Sequence, residues 1–271
     1  MADSGSQSLP GHELVAYNTA VDSENKIHDD DVAARFGFTG GLVPGVDVYA
    51  YLCQPALAHW GARFLDSSRV SVRFDAPIYD GETTRIAGTL DAGGVLRAEA
   101  LTANGTPATL EAQLLGARAT PPTTVAAPTN PERPPACPEV LVADVPLGSY
   151  TTQIDAEAHA AYLRDVRDPD SPVTALGAVH PGWLLRQANY ILSRNVKLGP
   201  WMHVGSVVDH LAPAPIGQPL EVQGFTRRAY EHKGHRFVLL AVVILGPDGE
   251  PVCSIDHTAI YEPRQVRELA G

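Results

Sequence analysis

The amino-acid sequence predicts an α+β protein made of two copies of one unit, in which an antiparallel sheet wraps a long buried helix. Two long apolar helices are indicated, one starting near Pro44-Gly45 and the other near Pro181-Gly182. Each is followed by four short strand-like segments, and a proline-rich stretch lies between the two series. A unit that recurs in this way along a chain indicates a duplicated architecture whose copies pack together.

The first unit opens with a short strand and a polar loop, followed by a short helix, a long helix and four strands. In chain order we predict these elements over residues 13–17, 29–35, 46–64, 70–74, 82–90, 95–102 and 108–115. The long helix carries apolar residues around most of its circumference, so it should be buried on most sides, and Pro55 is the position where a kink would form. Residues 1–10 are small and polar, and we expect them to trail into solvent.

Residues 118–140 contain seven prolines and almost no apolar periodicity, which predicts an extended linker. The linker separates a first unit, residues 11–117, from a second unit, residues 141–262. In the second unit the long helix is predicted over 183–194. Motifs of the first unit return there in the same order, with Pro181-Gly182 matching Pro44-Gly45 and the turn Asp248-Gly249-Glu250-Pro251 matching Asn104-Gly105-Thr106-Pro107.

The composition allows a large core and excludes several classes of function. The chain has 271 residues, of which 44% are hydrophobic, and its net charge of −11 argues against a nucleic-acid or anionic-membrane partner. Cys53, Cys137 and Cys253 lie far apart and form no CxxC, so we predict neither a disulfide framework nor a zinc site. No signal-peptide pattern or long apolar span is present. We therefore expect a cytoplasmic protein without a metal or other cofactor.

A polar loop in the first unit carries a recognisable motif. Asn25-Lys26-Ile27-His28, with Ala34 six residues after the His, resembles the N-P-[LIV]-H-x5-[AS] core of the MaoC-like, (R)-specific enoyl-CoA hydratase family. The Gly-rich turn before Pro44-Gly45 also resembles that family. The resemblance implies a double hot-dog fold and reversible addition of water to a trans-2-enoyl thioester, carried on coenzyme A or an acyl carrier protein.

The same resemblance implies roles for individual residues. His28 would be one member of the acid–base pair, Asn25 would hold the loop or the water, and the Gly45 N–H, at a helix N-terminus, would polarise the thioester carbonyl. The family places its catalytic Asp five residues before the His, where this chain has Ser23, which would line the substrate site. Either the loop is one residue longer and Asp22 takes the role of that Asp, or the carboxylate has been lost.

Three other interpretations stay open. Asp47, in the first turn of the long helix, could activate water in a hot-dog thioesterase, although its position also suits the helix dipole. The absence of the motif Asp and Pro also fits a catalytically silent protein that binds acyl thioesters. In the second unit, alignment of the Ala-Ala pairs places Asp155 at the position of His28, which indicates a degenerate half, and a structural role is favoured for His180. Two chains could form a homodimer.

Overall fold

Ten antiparallel strands form one continuous sheet in the computed structural model, which describes residues 5–266. The strands, in chain order, are β1 (Gln7–Val15), β2 (Ser68–Phe74), β3 (Thr83–Leu90), β4 (Val95–Thr102), β5 (Gly105–Leu114), β6 (Pro146–Thr152), β7 (Met202–His210), β8 (Leu220–His232), β9 (His235–Leu245) and β10 (Pro251–Glu262). The helices are α1 (Asp30–Arg35), α2 (Gly45–Trp60), α3 (Ala62–Asp66), α4 (Ala156–Asp165), α5 (Pro172–Ala175) and α6 (Pro181–Asn195).

The sheet is symmetric about its central pair of strands. Its order is β1-β3-β4-β5-β2-β7-β10-β9-β8-β6, so equivalent strands of the two halves stand at equal distances from the central pair. The strands β2 and β7 join the halves, and at their centre Val70 pairs with Val208, both fully buried. Each half therefore contributes one strand before its helices and four strands after them, which confirms the predicted α+β double hot-dog fold.

The long helices α2 and α6 lie against each other inside the curved sheet. Residues from Val46 to Leu57 are buried on nearly all sides of α2, as its broad apolar surface predicts. The two helices approach closely where a Cβ added to Gly182 of α6 would lie 2.6 Å from the Ala50 Cβ of α2. No described helix is both long and apolar enough to cross a membrane.

Two predicted elements differ most from the structure, and the strand predicted over 108–115 also begins earlier, at Gly105. The helix predicted over 46–64 ends at Trp60, because Gly61 has a φ of +54° and separates it from α3, while Pro55 lies inside a continuous α2. The first strand was predicted over 13–17 but runs from Gln7 to Val15, because it pairs with β3 along most of its length. Tertiary pairing thus orders part of the segment expected to trail into solvent, whereas residues 1–4 lie outside the described part of the chain.

Residues 118–140 run extended along the second half and are fixed to it at several points. Thr124 donates a hydrogen bond to Gln223 of β8, and the Ala136 N–H donates one to the Lys197 carbonyl. Between these points the Arg133 guanidinium contacts Glu24 in the polar loop and the Ser193 carbonyl at the end of α6. The segment thereby connects the loop that carries His28 to the second half.

Candidate functional site

A half-buried histidine in the polar loop has a defined orientation. His28 ends a short 3-10 helix, Lys26–His28, and its Nδ1 lies 2.6 Å from the Leu42 carbonyl oxygen. Nδ1 must carry a proton to donate to that oxygen, so the neutral ring presents a lone pair on Nε2. Burial lowers the pKa of His28, against the opposing effects of the Leu42 carbonyl and the Asp47 carboxylate. The ring is therefore a neutral base near pH 7.

The Gly-rich turn before α2 carries the Leu42 carbonyl, which accepts the hydrogen bond from His28. A Cβ at Gly41 would clash with the His28 carbonyl oxygen, so only glycine lets the turn pass this close. The Gly41 N–H donates to an Asp30 carboxylate oxygen at 2.6 Å, and the Asn18 amide donates to the His28 carbonyl at 2.8 Å. The turn thus positions the Leu42 carbonyl that accepts from His28.

Asn25 is held by backbone groups of the second half. Its Nδ2 donates to the Trp201 carbonyl at 3.0 Å, and its Oδ1 accepts from the Trp201 N–H at 3.2 Å. The second Nδ2 hydrogen faces His28 Nε2 at 3.4 Å. This paired contact joins the loop of one half to the strand entry of the other, and sets the His28 ring at the boundary between them.

Two cavities meet at His28. Cavity A, of about 560 Å³, extends toward the linker and is lined by polar and charged groups that include Asp22, Arg133 and Arg194. Cavity B, of about 330 Å³, is mostly apolar, with Val48, Phe74 and Ile78 among its walls. Five residues line both cavities and form what we call the neck: Asn25, His28, Pro44, Asn189 and Trp201.

The N-terminus of α2 faces cavity B. Gly45 lines this cavity, and its N–H has no acceptor among the described residues. A Cβ at this position would lie 3.1 Å from His203 Nδ1 and 3.3 Å from the Phe74 ring, so glycine keeps the space open. Free N–H groups at the positive end of a helix dipole are suited to bind an oxygen that gains negative charge.

Two histidines, the half-buried His203 and the fully buried His257, lie behind this helix start. His203 Nε2 is 2.9 Å from the Ser206 hydroxyl, which is 3.1 Å from His257 Nδ1. Burial, and then the neighbouring His257, lower the pKa of His203 well below its usual value, and burial lowers the pKa of His257 to about 3. Both rings are therefore neutral, and the serine hydroxyl links them.

Asp22 and Ser23 both line cavity A, but neither contacts His28 through a hydrogen bond. Asp22 is exposed and makes no ion pair with a described residue, whereas Glu24 beside it is paired with Arg133. The half-buried Ser23 donates its hydroxyl hydrogen to the Asn25 carbonyl at 3.1 Å. Asp22 is thus the unpaired carboxylate of cavity A, which His28 also lines.

Asp47 is not available as a water-activating base. It is fully buried, it accepts a hydrogen bond from Thr19 at 2.6 Å, and it lies 2.5 Å from an Arg186 nitrogen of α6. The carboxylate lines neither cavity A nor cavity B. Its contacts assign it a structural role between the helices of the two halves, which the helix-dipole argument did not foresee.

The corresponding loop of the second half is closed. Asp155 caps α4 by accepting from the Ala158 N–H, as Asp29 caps α1, so it corresponds to Asp29 and not to His28. His180 is fully buried and caps its own helix, accepting from the Gly182 N–H at 3.1 Å. The dipeptides Asp209-His210 and Asp256-His257 lie in strands, where successive side chains point to opposite faces, so neither forms an acid–base pair by itself.

Three residues of the site have no signal in the sequence. Trp201, Asn189 and Arg186 reach the neck or cavity A from the second half, and no local pattern distinguishes them from other residues of their elements. The Asn25 contact with Trp201, for example, joins residues 176 positions apart. Only the packing of the two halves brings these groups to His28.

The fold defines the chain as a double hot-dog protein. No protein-family model matches the chain, and no curated protein sequence does. Among solved structures, it is similar to a putative MaoC domain dehydratase from Chloroflexus aurantiacus, at 9% identity with 95% of each chain covered and a TM-score of 0.67. A MaoC-like dehydratase matches at 14% identity over 93% of this chain and 98% of that one, with a TM-score of 0.61. A conserved hypothetical protein from Mycobacterium tuberculosis with a double hotdog fold matches at 15% identity over 96% of both chains, with a TM-score of 0.59.

Proposed function

We propose that this protein is an enoyl-thioester hydratase, equally a 3-hydroxyacyl-thioester dehydratase, with His28 as its base. The observation that carries the proposal is the lone pair of His28 Nε2 at the neck between two cavities. The Nδ1 contact with Leu42 fixes the tautomer, and the lowered pKa keeps the ring neutral. A neutral imidazole of this orientation can accept a proton from a water that takes the place of the long Asn25 contact, 3.4 Å, at Nε2.

The shapes of the cavities suggest how a thioester would lie. The apolar cavity B suits the acyl chain, and the larger cavity A, with Arg133 and Arg194 on its walls, suits the phosphate-bearing carrier. The carbonyl would then lie against the Gly45 N–H, where the helix dipole stabilises the negative charge that develops on its oxygen. This arrangement places the C2–C3 bond at the neck, beside His28.

The chemistry requires two proton transfers. In hydration, His28 Nε2 accepts a proton as the water oxygen attacks C3, and the electrons of the double bond move toward the thioester carbonyl to give an enolate. A proton then adds to C2, which restores the carbonyl. Asp22, in its protonated form, is the candidate donor of this second proton from cavity A; without it, the His28 imidazolium returns the proton that it took.

The alternatives have less support. A thioesterase that uses Asp47 would need that carboxylate free, and Arg186 and Thr19 engage it. A silent thioester-binding protein remains the main competitor because Ser23 occupies the position of the family's catalytic Asp and is bonded to the Asn25 carbonyl. A binding protein would retain the cavities but would have no use for the fixed His28 tautomer.

The decisive experiment follows the absorbance of an enoyl-CoA together with the release of free thiol. A hydratase removes the enoyl absorbance without releasing thiol, and a thioesterase releases thiol. His28→Ala should lower kcat/KM by roughly 10²–10⁴-fold, the contribution of a general base. His59→Ala, which changes an exposed histidine that lines neither cavity, is the matched control. Wild-type turnover by His28→Ala, or thiol release, would overturn the proposal.

A further inference from the structure

Asn189 has a polar side chain at the neck that takes no part in the mechanism proposed for His28. Asn189 lies on α6 in the second half and lines both cavities, together with His28 and Asn25. Its Oδ1 is buried and has no hydrogen-bond partner. No described residue forms a hydrogen bond with its Nδ2. Unlike Oδ1, this nitrogen is not buried, so a ligand can reach it. With Oδ1 turned into the protein, the Nδ2 donor is the end of the amide that a ligand in the cavities can reach.

Other interior amides of the described chain behave differently. Four side-chain amides are buried, and in each of them both the oxygen and the nitrogen are hydrogen-bonded: Asn18, Gln187, Asn195 and Gln223. Asn195 shows the contrast best, since it lies on the same helix as Asn189 and bonds the Gly148 N–H, the Gly148 carbonyl and the Ile191 carbonyl. The fold thus satisfies its structural amides and leaves Asn189 open. Gln265 also has an unpartnered oxygen, but it lines cavity B alone.

We propose that Asn189 donates a hydrogen bond from Nδ2 to the thioester carbonyl oxygen, as the second donor beside the Gly45 N–H. This inference rests on the proposed function and extends it to the second half. Asn189 and Gly45 both line cavity B, and Asn189 also borders the neck, where the reacting carbons would lie. One backbone N–H leaves an enolate oxygen incompletely solvated, and a side-chain amide is a common partner for such a donor.

A neutral donor suits this position. Arg186, one helical turn before Asn189, is already paired with Asp47 and lies over the Tyr162 ring, so its charge is engaged there. The other neck amide, Asn25, uses its Nδ2 on Trp201 and His28. Asn189 is therefore the neck amide whose donor is free to bind a substrate. The duplicated half supplies this donor, although its own loop is closed.

The test compares Asn189→Leu and Asn189→Asp with wild-type protein and with Asn195→Ala as the matched control on the same helix. Asn189→Leu should lower kcat by roughly 10²–10³-fold, the effect of losing one oxyanion donor. Its Tm should stay equal or rise, because an unsatisfied amide is removed. Asn189→Asp should lose more activity, since a carboxylate repels the enolate. Asn195→Ala should show the reverse pattern, a lower Tm with the folded protein still active.

A second measurement needs no turnover. A 2,4-dienoyl-CoA absorbs at longer wavelength when its carbonyl is polarised, so its red shift on binding reports the donors directly. Asn189→Leu should bind this probe with a smaller red shift than wild type. If wild type hydrates enoyl-CoA and Asn189→Leu matches it in kcat and red shift, this inference fails and the proposed function stands. Wild type could also bind the probe with a red shift that Asn189→Leu reduces, yet hydrate no enoyl-CoA. In that case the role of Asn189 as a donor is supported and the proposed hydratase activity is wrong. Absence of binding by wild type overturns both.

Discussion

The two halves of this protein enter their long helices in opposite ways. The first half has a histidine and two open cavities at the start of α2, but Asp22, the unpaired carboxylate of cavity A, makes no hydrogen bond with His28. The second half has an aspartate and a histidine near each other, with Asp168 Oδ2 3.5 Å from His180 Nε2, but His180 is fully buried and lines neither cavity. Cavity access and a carboxylate–histidine contact thus occur in different halves of the protein.

The difference begins at the helix N-termini. The Gly45 N–H is free and faces cavity B, whereas the corresponding Gly182 N–H is bonded to the His180 ring. Capping the backbone N–H groups of the first turn with a side chain stabilises a helix. Leaving these N–H groups without a partner keeps them available to bind an anion. We infer that the second half contributes stability and distant side chains while the first half holds the site. The predictions below test this division of roles.

The largest effect is expected from the ion pair that joins the halves. Arg186 and Asp47 connect α6 to α2, and Asp47 has no exposed surface. Asp47→Ala should lower the free energy of unfolding by about 3–5 kcal/mol, because it leaves a largely buried guanidinium unpaired. Chemical denaturation of the single variant and of the double variant Asp47→Leu/Arg186→Leu measures this. The double variant should recover most of the loss, and a double variant as unstable as the single one would contradict the explanation.

The second prediction restores what the open site lacks. Ser23→Asp places a carboxylate at the position that the hydratase motif reserves for it, on a loop that lines cavity A. We expect kcat/KM to rise by roughly 10²-fold, the lower end of the range for general acid–base groups. The control is Asp22→Asn, made alone and with Ser23→Asp. If Asp22 already does this work, Asp22→Asn alone abolishes activity and Ser23→Asp gives no gain.

A third comparison uses the two helix-entry glycines. An alanine at position 182 would clash with the Tyr162 hydroxyl and approach Ala50, so Gly182→Ala should destabilise the fold by about 1–3 kcal/mol, as overpacking does. Gly45→Ala meets only His203 and Phe74, at 3.1 and 3.3 Å. It should cost less stability but lower turnover by roughly 10²-fold through misplacement of the thioester. Equal losses of Tm in the two variants would break the distinction between a structural and a functional helix start.

The fold and the local part of the site could be predicted from the sequence for a clear reason. The repeated Pro-Gly helix starts, turn motifs and strand alternation each depend on neighbouring residues, and the loop residues His28 and Asn25 lie in one short stretch with Gly45 close behind. Periodicity and spacing report such relations. The position of His28 at a cavity, however, depends on Gly41 and Leu42, whose role emerges only when the turn folds back onto the loop.

The remaining part of the site could not be predicted because its residues come together only at the interface between the two halves. Trp201 binds Asn25 through backbone groups, which any residue type would offer. The position of Asp47 in the first helical turn suggests a helix-dipole interaction or a base, and neither interpretation identifies its partner. Its actual partner, Arg186, lies 139 positions away. Charge pairs of this kind are set by tertiary packing and leave no local pattern.

The smallest predicted effect concerns the pH dependence of catalysis. Burial lowers the pKa of His28 below 6.5, so the ring stays neutral, and able to accept a proton, to a lower pH than a histidine in solution would. The fall of kcat/KM for hydration on the acid side of the pH profile, which we call the acid limb, should therefore have its midpoint below pH 6.5. As pH falls, His28 is protonated in the unfolded chain before it is protonated in the folded chain. The free energy of unfolding should therefore decline as pH falls from about 6.5 toward the folded-state pKa of His28.

The acid limb therefore has to be measured where circular dichroism shows the protein folded. Asp47 raises the pKa of His28, and Asp47→Asn removes that charge, so a variant that still folds should shift the limb to lower pH. His180 provides the internal contrast. It is buried in the closed half and lines neither cavity at the neck, so His180→Gln should change Tm but leave the acid limb in place. A limb that moves with His180 and not with Asp47 would mean that the second half takes part in the proton transfer, and the division of roles would be wrong.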